Sequence, residues 1–348
     1  MVQAPPADRF PVYPASWYLF CASRELRKGP VARDTLGRLV AYRTGRGAVA
    51  VLDARCSHLG ADLGRGRVIG DCLQCPFHHW EYGPDGRCTH VPVSPDVPAT
   101  ARQACYPAVE RHGFVFVFNG PEPHFDLPFF PGERPEDFVP GRPFGTTLAC
   151  PWYLIGANAF DLQHFRAAHD RRLSGEPRVD CPAPFARRAS ARFRVCGDSL
   201  QDRLTRRFAG DEVEMAITDW CGNLMFATAT FRRTRSYGMV VTEPVRGGVT
   251  VRVLVFVRRG RGLIGRALLG PLHRELRRFF IKRFLSSDAA RLDGACYNPH
   301  GLIDADRDLA EYFQWLAVVS HGTPWRPANG AAAAAPPGAL FPLTRGPT

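Results

Sequence analysis

The chain has 348 residues, 45 Lys and Arg against 33 Asp and Glu, a formal charge of +12, and 11 cysteines. Its 45% hydrophobic and 22% charged residues exclude wholesale disorder, and no apolar run is long enough to span a membrane, so membrane contact is not expected. The odd cysteine count and the lack of an apolar leader favour a reducing, cytoplasmic setting over a secreted disulfide scaffold. Lys28 and Lys282 are the only lysines and the arginines are spread along the chain, so we expect no nucleic-acid partner.

The first third of the chain predicts short strands between turns. Alternating or β-branched runs indicate strands at residues 38–42, 48–53 and 113–119. The proline-rich segment 121–143 predicts a connector, so we place the end of a first domain, residues 1–143, at this point.

The second part predicts a helix, then long antiparallel strands, then two further helices, which makes the fold class α+β. The helices are expected at residues 152–169, 271–296 and 306–319. The strands are expected at residues 185–197, 212–220, 224–233, 238–242 and 250–258. This second domain covers residues 144–322, and the low-complexity tail 323–348 is predicted to be disordered.

A first set of metal-ligating residues lies in two turn-rich segments. Cys56 and His58 form one pair, Cys75 and His78 form a second, and 16 residues separate the pairs. Four such ligands suit tetrahedral zinc, or a [2Fe–2S] cluster with two thiolates on one iron and two imidazoles on the other. The intervening glycines and Pro76 favour the cluster, because its loops must turn tightly and bring backbone N–H groups near sulfide.

A second set of residues follows the predicted boundary. Asn158, Asp161 and His164 recur at intervals of three, which places neighbours close together on one helical face. His164 and His169 are five apart, so a regular helix would turn them about 140° away from each other. We therefore predict a distortion of the helix between them, such as a π-bulge, if both bind one metal.

The segment 56–90, CSHLGADLGRGRVIGDCLQCPFHHWEYGPDGRCTH, resembles the Rieske motif of the Rieske non-haem iron oxygenases, and most of all that of their arylamine N-oxygenases. The resemblance implies a [2Fe–2S] cluster bound by Cys56, His58, Cys75 and His78. His79 departs from the glycine that is commonest after the second histidine. Cys72 and Cys88 fall outside the four-ligand pattern and are expected to be small buried residues.

The second set resembles the mononuclear iron motif of the same family, which implies an Fe(II) held by two histidines and one carboxylate. His164 and His169 would be the histidines. By its place in the family's C-terminal helix, Asp288 is the expected third ligand, with Asp293 as the alternative.

The resemblance also gives roles to two further residues of this motif. Asp161 would bridge a cluster histidine of one subunit and an iron histidine of the next, within a head-to-tail homotrimer. Asn158 would lie near the iron, although a packing role for its amide is an open alternative.

Two other patterns are given structural interpretations. Residues 260–265 fit G-x-G-x-x-G, but no second parallel strand follows to complete a dinucleotide crevice, so we expect a turn and a separate electron donor. The amphipathic segment 272–285 is expected to pack Leu272, Leu276, Phe279 and Phe280 on the sheet with its arginines outward.

The function implied by the resemblance is that of a terminal oxygenase. A ferredoxin or reductase would supply electrons, and O₂ would oxidise a hydrophobic small molecule (an aromatic amine, natural product or sterol-like compound) by hydroxylation, N-oxidation or demethylation. The second domain would be a helix-grip fold whose cavity is lined by Phe160, Phe165, Trp220, Met225, Phe226 and Phe231. The alternative is a non-catalytic redox or lipid-binding protein that keeps the cluster and lacks the mononuclear iron.

Overall fold

A computed structural model describes residues 3–260 and 270–325 of the chain. The predicted glycine-rich turn, apart from Gly260, and all of the predicted tail beyond residue 325 lie outside this range. The order of elements confirms the expected α+β class, with β-strands first and an antiparallel sheet with helices afterwards.

The N-terminal part consists of three small antiparallel sheets. One sheet has the order β1-β11-β10, with strands Trp17–Ala22, Phe114–Phe118 and Ala108–Arg111. A second has the order β2-β3-β4-β9, with strands Val31–Arg33, Leu39–Arg43, Val49–Asp53 and Cys105–Tyr106. The third has the order β5-β6-β7-β8, with strands Arg67–Ile69, Cys72–Gln74, Glu81–Tyr82 and Cys88–His90.

The second part is built on one nine-stranded antiparallel sheet. Its strands, β12 to β20, are Phe138–Pro140, Phe144–Leu148, Arg171–Leu173, Arg178–Ala183, Ala186–Val195, Glu212–Trp220, Leu224–Phe231, Arg235–Val245 and Gly248–Arg258. Because β12 pairs with β20, the sheet already begins inside the predicted connector, before residue 143.

The helices of the second part pack against this sheet. They are α1 (Tyr153–Ala157), α2 (Leu162–His169), α3 (Leu200–Phe208), α4 (Gly270–Leu292) and α5 (Arg307–Val319). The expected single helix over residues 152–169 is wrong, because a turn at residues 158–161 separates α1 from α2. Asp161 starts α2 as its N-cap, with its carboxylate accepting the N–H groups of Gln163 and His164.

An apolar core joins the two parts of the chain. Trp17 and Phe118 of the first sheet pack in one cluster with Phe226 and Phe256 of the large sheet. Phe130, from the connector, lies in the same cluster and is 1% exposed. Since the cluster draws on both parts and on the connector, it fixes their relative placement. No helix in the described ranges is both long and apolar enough to cross a membrane.

Candidate metal centres and cavity

The two cysteines of the first set are buried side by side. The Cys75 sulfur lies against that of Cys56 and accepts the backbone N–H groups of Phe77 and His78. Burial raises the pKa of the Cys75 thiol, because an apolar environment disfavours the charged thiolate. Tyr82 is close as well, with its hydroxyl 3.1 Å from the Cys56 sulfur.

The two histidines of this set are exposed and adjacent. The rings of His58 and His78 have centroids 4.7 Å apart, and His58 stacks on Trp80 at 4.4 Å with an interplanar angle of 3°. Paired thiols inside and paired imidazoles outside are the donor set of a cluster that has two cysteines on one iron and two histidines on the other. The residues present therefore fit a [2Fe–2S] cluster.

The backbone around these ligands explains two features of the sequence. A Cβ on Gly66 would lie 2.1 Å from the carbonyl oxygen of Gln74, so the first loop can approach β6 only with glycine here. His79 has a φ of 58°, which is the left-handed region that glycine adopts at no steric cost. Cys88 is buried as expected, whereas Cys72 is only partly buried.

The second set of residues meets around one point. Donor atoms of His164, His169 and Asp288 all lie within 4.8 Å of one another. The predicted distortion between the histidines is wrong, because α2 is regular and ends at His169, with Asp170 left-handed at its C-cap. Asp288 reaches the two histidines because α4, which carries it, packs against α2.

Two buried donor atoms of this set lack a hydrogen-bond partner in the described part of the chain. His169 Nε2 and Asp288 Oδ1 are 2.7 Å apart, yet neither makes a hydrogen bond to any described residue. A cation bound by both atoms would satisfy them, since a buried polar atom without a partner is costly. The residues present therefore fit a mononuclear metal.

The protonation state of His164 is set by its surroundings. Burial lowers the pKa of His164, which favours the neutral ring that a metal needs. Its Nδ1 contacts the carbonyl oxygen of Asp161, and this contact favours the tautomer with the proton on Nδ1 and Nε2 available as a ligand. The Asn158 amide nitrogen lies 3.4 Å from that Nε2.

The Asp161 carboxylate caps α2 through Oδ1, which accepts the backbone N–H of His164, whereas the His164 ring contacts the carbonyl oxygen of Asp161. No bond to its Oδ2 is found among the described residues. Asp293 is not part of the cluster, because its Oδ1 accepts the backbone N–H of Ala149 at 2.8 Å.

Several supporting contacts around His169 were not foreseen from the sequence. Phe284 of α4 stacks on the His169 ring at 3.8 Å. Arg171 donates to the carbonyl oxygen of His169 at 2.8 Å and is itself held by Asp202 at 2.8 Å. The sequence did contain a signal for this stacking, because Phe284 lies four residues before Asp288 and therefore on the same helical face.

A cavity of about 780 Å³ opens beside the three donors, between the sheet and α4. Of the side chains expected to line it, Phe165, Met225 and Phe231 do so. Phe160 and Phe226 lie in the packed core instead, and Trp220 packs against that core. The position of the cavity, between the sheet and α4, matches the one expected of a helix-grip fold.

The packing predicted for α4 is wrong in two respects. Leu276 and Phe279 are 52% and 62% exposed, while Arg277 points toward the sheet and lines the cavity together with Phe280. The side chain of Leu272 lies outside the described set. The apolar stripe of α4 faces a cavity rather than a filled core, which a periodicity of 3.6 residues does not distinguish.

Comparison with known proteins agrees with this geometry. The family model described as "Rieske [2Fe-2S] domain" matches residues 16–107. Aminopyrrolnitrin oxygenase PrnD of Pseudomonas fluorescens is 39% identical over 173 residues, which are 46% of this chain and 47% of that protein. This match confirms the similarity expected for the Rieske segment. Cholesterol 7-desaturase of Xenopus laevis is 44% identical over 125 residues, which are 34% of this chain and 28% of that protein. The matched region thus spans about half or less of these relatives.

Solved structures cover more of the chain. Dicamba monooxygenase bound to 3,6-dichlorosalicylic acid aligns with a TM-score of 0.65 at 20% identity, over 88% of this chain and 98% of that one. NdmA of Pseudomonas putida CBB5 with caffeine aligns with a TM-score of 0.64 at 22% identity, over 87% and 90% of the two chains. These likenesses establish the fold, and the Rieske match indicates a [2Fe–2S] cluster. The chain therefore contains a Rieske [2Fe–2S] domain at residues 16–107, and its overall fold is that of dicamba monooxygenase and NdmA.

Proposed function

We propose that the chain is the terminal oxygenase component of a Rieske oxygenase system. The observation that carries the proposal is the convergence of His164, His169 and Asp288 on one point beside a large cavity, in a chain with a Rieske domain. A redox protein that only transfers electrons needs no second set of metal ligands and no cavity of this size.

The three residues of this set would hold a mononuclear iron(II). Such an iron supplies O₂ binding and reductive activation, because two histidines and one carboxylate leave coordination positions open. The chain's own share is to hold the neutral His164 ring by its Nδ1 contact and to stack His169 on Phe284. Asn158 would line the same site through its amide.

Electrons would come from a separate ferredoxin or reductase. The exposure of His58 and His78 supports this, since a partner can approach them directly. A relative from Rhodococcus rhodochrous, 41% identical over 108 residues, is named as the oxygenase component of 3-ketosteroid-9-alpha-monooxygenase, which implies further components in that system.

We further propose a homotrimer in which Asp161 connects the cluster of one subunit with the iron site of the next. Its Oδ1 is engaged in capping α2, which leaves Oδ2 for a histidine of the partner subunit. All eleven cysteines are free, which suits the reducing cytoplasm that we propose as the setting.

The substrate would be a hydrophobic small molecule. The cavity walls are largely aliphatic and aromatic, with residues such as Phe208, Phe231 and Val253 among them. Hydroxylation, N-oxidation and demethylation are all reactions that an activated O₂ beside such walls would support, and aromatic amines, natural products and sterol-like compounds are all candidate substrates.

Metal analysis tests the proposal most directly. We expect about three irons and two sulfides per chain, because the cluster accounts for two irons and the second site for one. Asp288→Ala should lose one iron and keep the visible absorption of the cluster, whereas the control Asp293→Asn should keep all three. Two irons per chain in the wild type, with no mononuclear signal, would support the redox or lipid-binding alternative.

Turnover identifies the reaction. The protein with a surrogate reductase and an extract of apolar metabolites should place ¹⁸O from ¹⁸O₂ in a product. Asp161→Asn should keep both metals and slow product formation, because it alters the contact between subunits. Unchanged turnover in that variant would remove the bridging role.

A further inference from the structure

Several polar side chains line the cavity, and they include two sets of residues. His164 and Asp288 line the end that carries the metal ligands, and Thr234, Ser236 and Arg277 line another part of the wall. The walls between them are mostly apolar. A ligand that uses both polar places must therefore reach from one to the other.

Helix geometry gives the separation of the two places. Arg277 and Asp288 are eleven residues apart on α4, which is about 20° more than three full turns, so both side chains project from the same helical face. Their Cα atoms are about 16 Å apart along the helix axis. The Arg277 guanidinium and the metal ligands thus lie about three helical turns apart along the cavity wall.

The hydrogen bonds of Arg277 go to neutral oxygens. Its Nη1 donates to the Ser236 hydroxyl at 2.9 Å and to the carbonyl oxygen of Arg235, and its Nη2 donates to the Thr234 hydroxyl at 2.6 Å. These bonds use three of the five N–H groups of a guanidinium. They leave two donors without a partner among the described residues.

The charge of Arg277 is also unmatched. No carboxylate within ion-pair distance is found for it in the described part of the chain, whereas Arg171, the other cavity arginine, is neutralised by Asp202. Burial lowers the pKa of Arg277, but a guanidinium keeps its proton in proteins. The one carboxylate that lines the cavity is Asp288, at the metal end.

We propose that the cavity takes an elongated apolar substrate whose carboxylate binds Arg277, with the opposite end of the molecule at His164, His169 and Asp288. The binding of a carboxylate by Arg277 does not depend on the proposed function; only the reaction at the opposite end of the substrate rests on it. A carboxylate would fill the two free donors and supply the missing counter-charge, and a planar guanidinium matches its two oxygens.

Equilibrium dialysis of the full-length protein with dodecanoate and with 1-dodecanol tests the proposal, because the two probes differ only in the head group. We expect dodecanoate to bind more tightly than 1-dodecanol. Arg277→Gln should weaken dodecanoate binding by about 10- to 100-fold and leave 1-dodecanol within about threefold. Ser236→Asp, which places a carboxylate against the guanidinium, should have the same effect and decides the question if Arg277→Gln does not fold.

Two controls locate the binding. Arg283→Gln removes an exposed arginine from the same helix and should leave both affinities unchanged. Gly238→Leu should weaken both probes, because a side chain at Gly238 would enter open space in the cavity wall. The proposal would be overturned if the wild-type protein bound both probes with equal affinity. It would also be overturned if Ser236→Asp bound dodecanoate as tightly as the wild type does. Iron analysis of the same preparation separates that failure from failure of the proposed function, since probe binding needs no iron.

Discussion

Asp219 is a fully buried carboxyl group, and its protonation offers a quantitative test of the structure. It is 0% exposed, and it accepts hydrogen bonds from the Tyr312 hydroxyl at 2.6 Å and from the Gly222 N–H at 2.8 Å. Burial raises the pKa of Asp219 to about 7 from its ordinary value of 3.8. The two hydrogen bonds oppose this rise and do not cancel it.

The consequence for stability follows from linkage. A carboxyl whose pKa is higher in the folded state contributes stability that is full below the unfolded pKa and is lost as pH rises through the folded pKa. A rise of about three pKa units corresponds to a loss of about 4 kcal/mol between low and high pH. Between about pH 5.5 and about pH 8 the loss should be about 2 kcal/mol.

Asp219→Asn removes this titration and keeps a hydrogen-bonding side chain of the same shape. We therefore expect the unfolding free energy of the wild type, relative to Asp219→Asn, to fall by about 2 kcal/mol over that pH range. Urea unfolding followed by tryptophan fluorescence at several pH values measures the difference. Tyr312→Phe should move the fall to higher pH, because it removes a hydrogen bond that favours the charged form. If the difference in unfolding free energy between the wild type and Asp219→Asn stayed constant with pH, the reasoning would be refuted.

Four further predictions concern the metal centres and the packing around them. His164→Ala should keep the visible absorption of the cluster and lose oxygenation in a coupled turnover assay; loss of the cluster as well would contradict separate sites. His79→Gly should stabilise the Rieske domain by about 1 kcal/mol, seen as a higher urea midpoint for loss of cluster absorption, because it relieves a left-handed backbone. Gly156→Ala should cost about 1–3 kcal/mol by urea unfolding, since its Cβ would lie 2.0 Å from the Tyr312 hydroxyl oxygen. Tyr82→Phe should lower the reduction potential of the cluster in a redox titration, because it removes the hydroxyl near the Cys56 sulfur.

The cluster ligands could be predicted because the two ligands of each pair lie only a few residues apart in the sequence. Cys56 with His58, and Cys75 with His78, each lie in one loop, so the pair itself indicates the donor set. Asp288 is different, since it is 119 residues beyond His169 and its place was known only by resemblance. Its meeting with the histidines depends on how α4 crosses the sheet, and no local pattern encodes that crossing.

The errors have a common physical origin in tertiary context. The sequence predicts one helix over residues 152–169, but Asp161 caps a new helix there. The inward position of Arg277 could not be predicted from its helix alone, because its acceptors come from the start of β19 and the residue before it. Amphipathic periodicity describes one helix, whereas a cavity is a property of all the elements around it.

The aromatic cluster shared by the two parts of the chain has a consequence for protein engineering. Exchange of Rieske domains between oxygenases is an attractive route to new pairings of electron donor and substrate. In this chain Trp17 and Phe118 share one apolar cluster with Phe226 and Phe256, and Phe130 contacts the rings of both Phe226 and Phe256. A chimaera cut at the end of the Rieske match, residue 107, would separate Trp17 from Phe118 and from the rest of the cluster. A transferable unit should therefore run through the connector and bring matched partners for Phe226 and Phe256 with it.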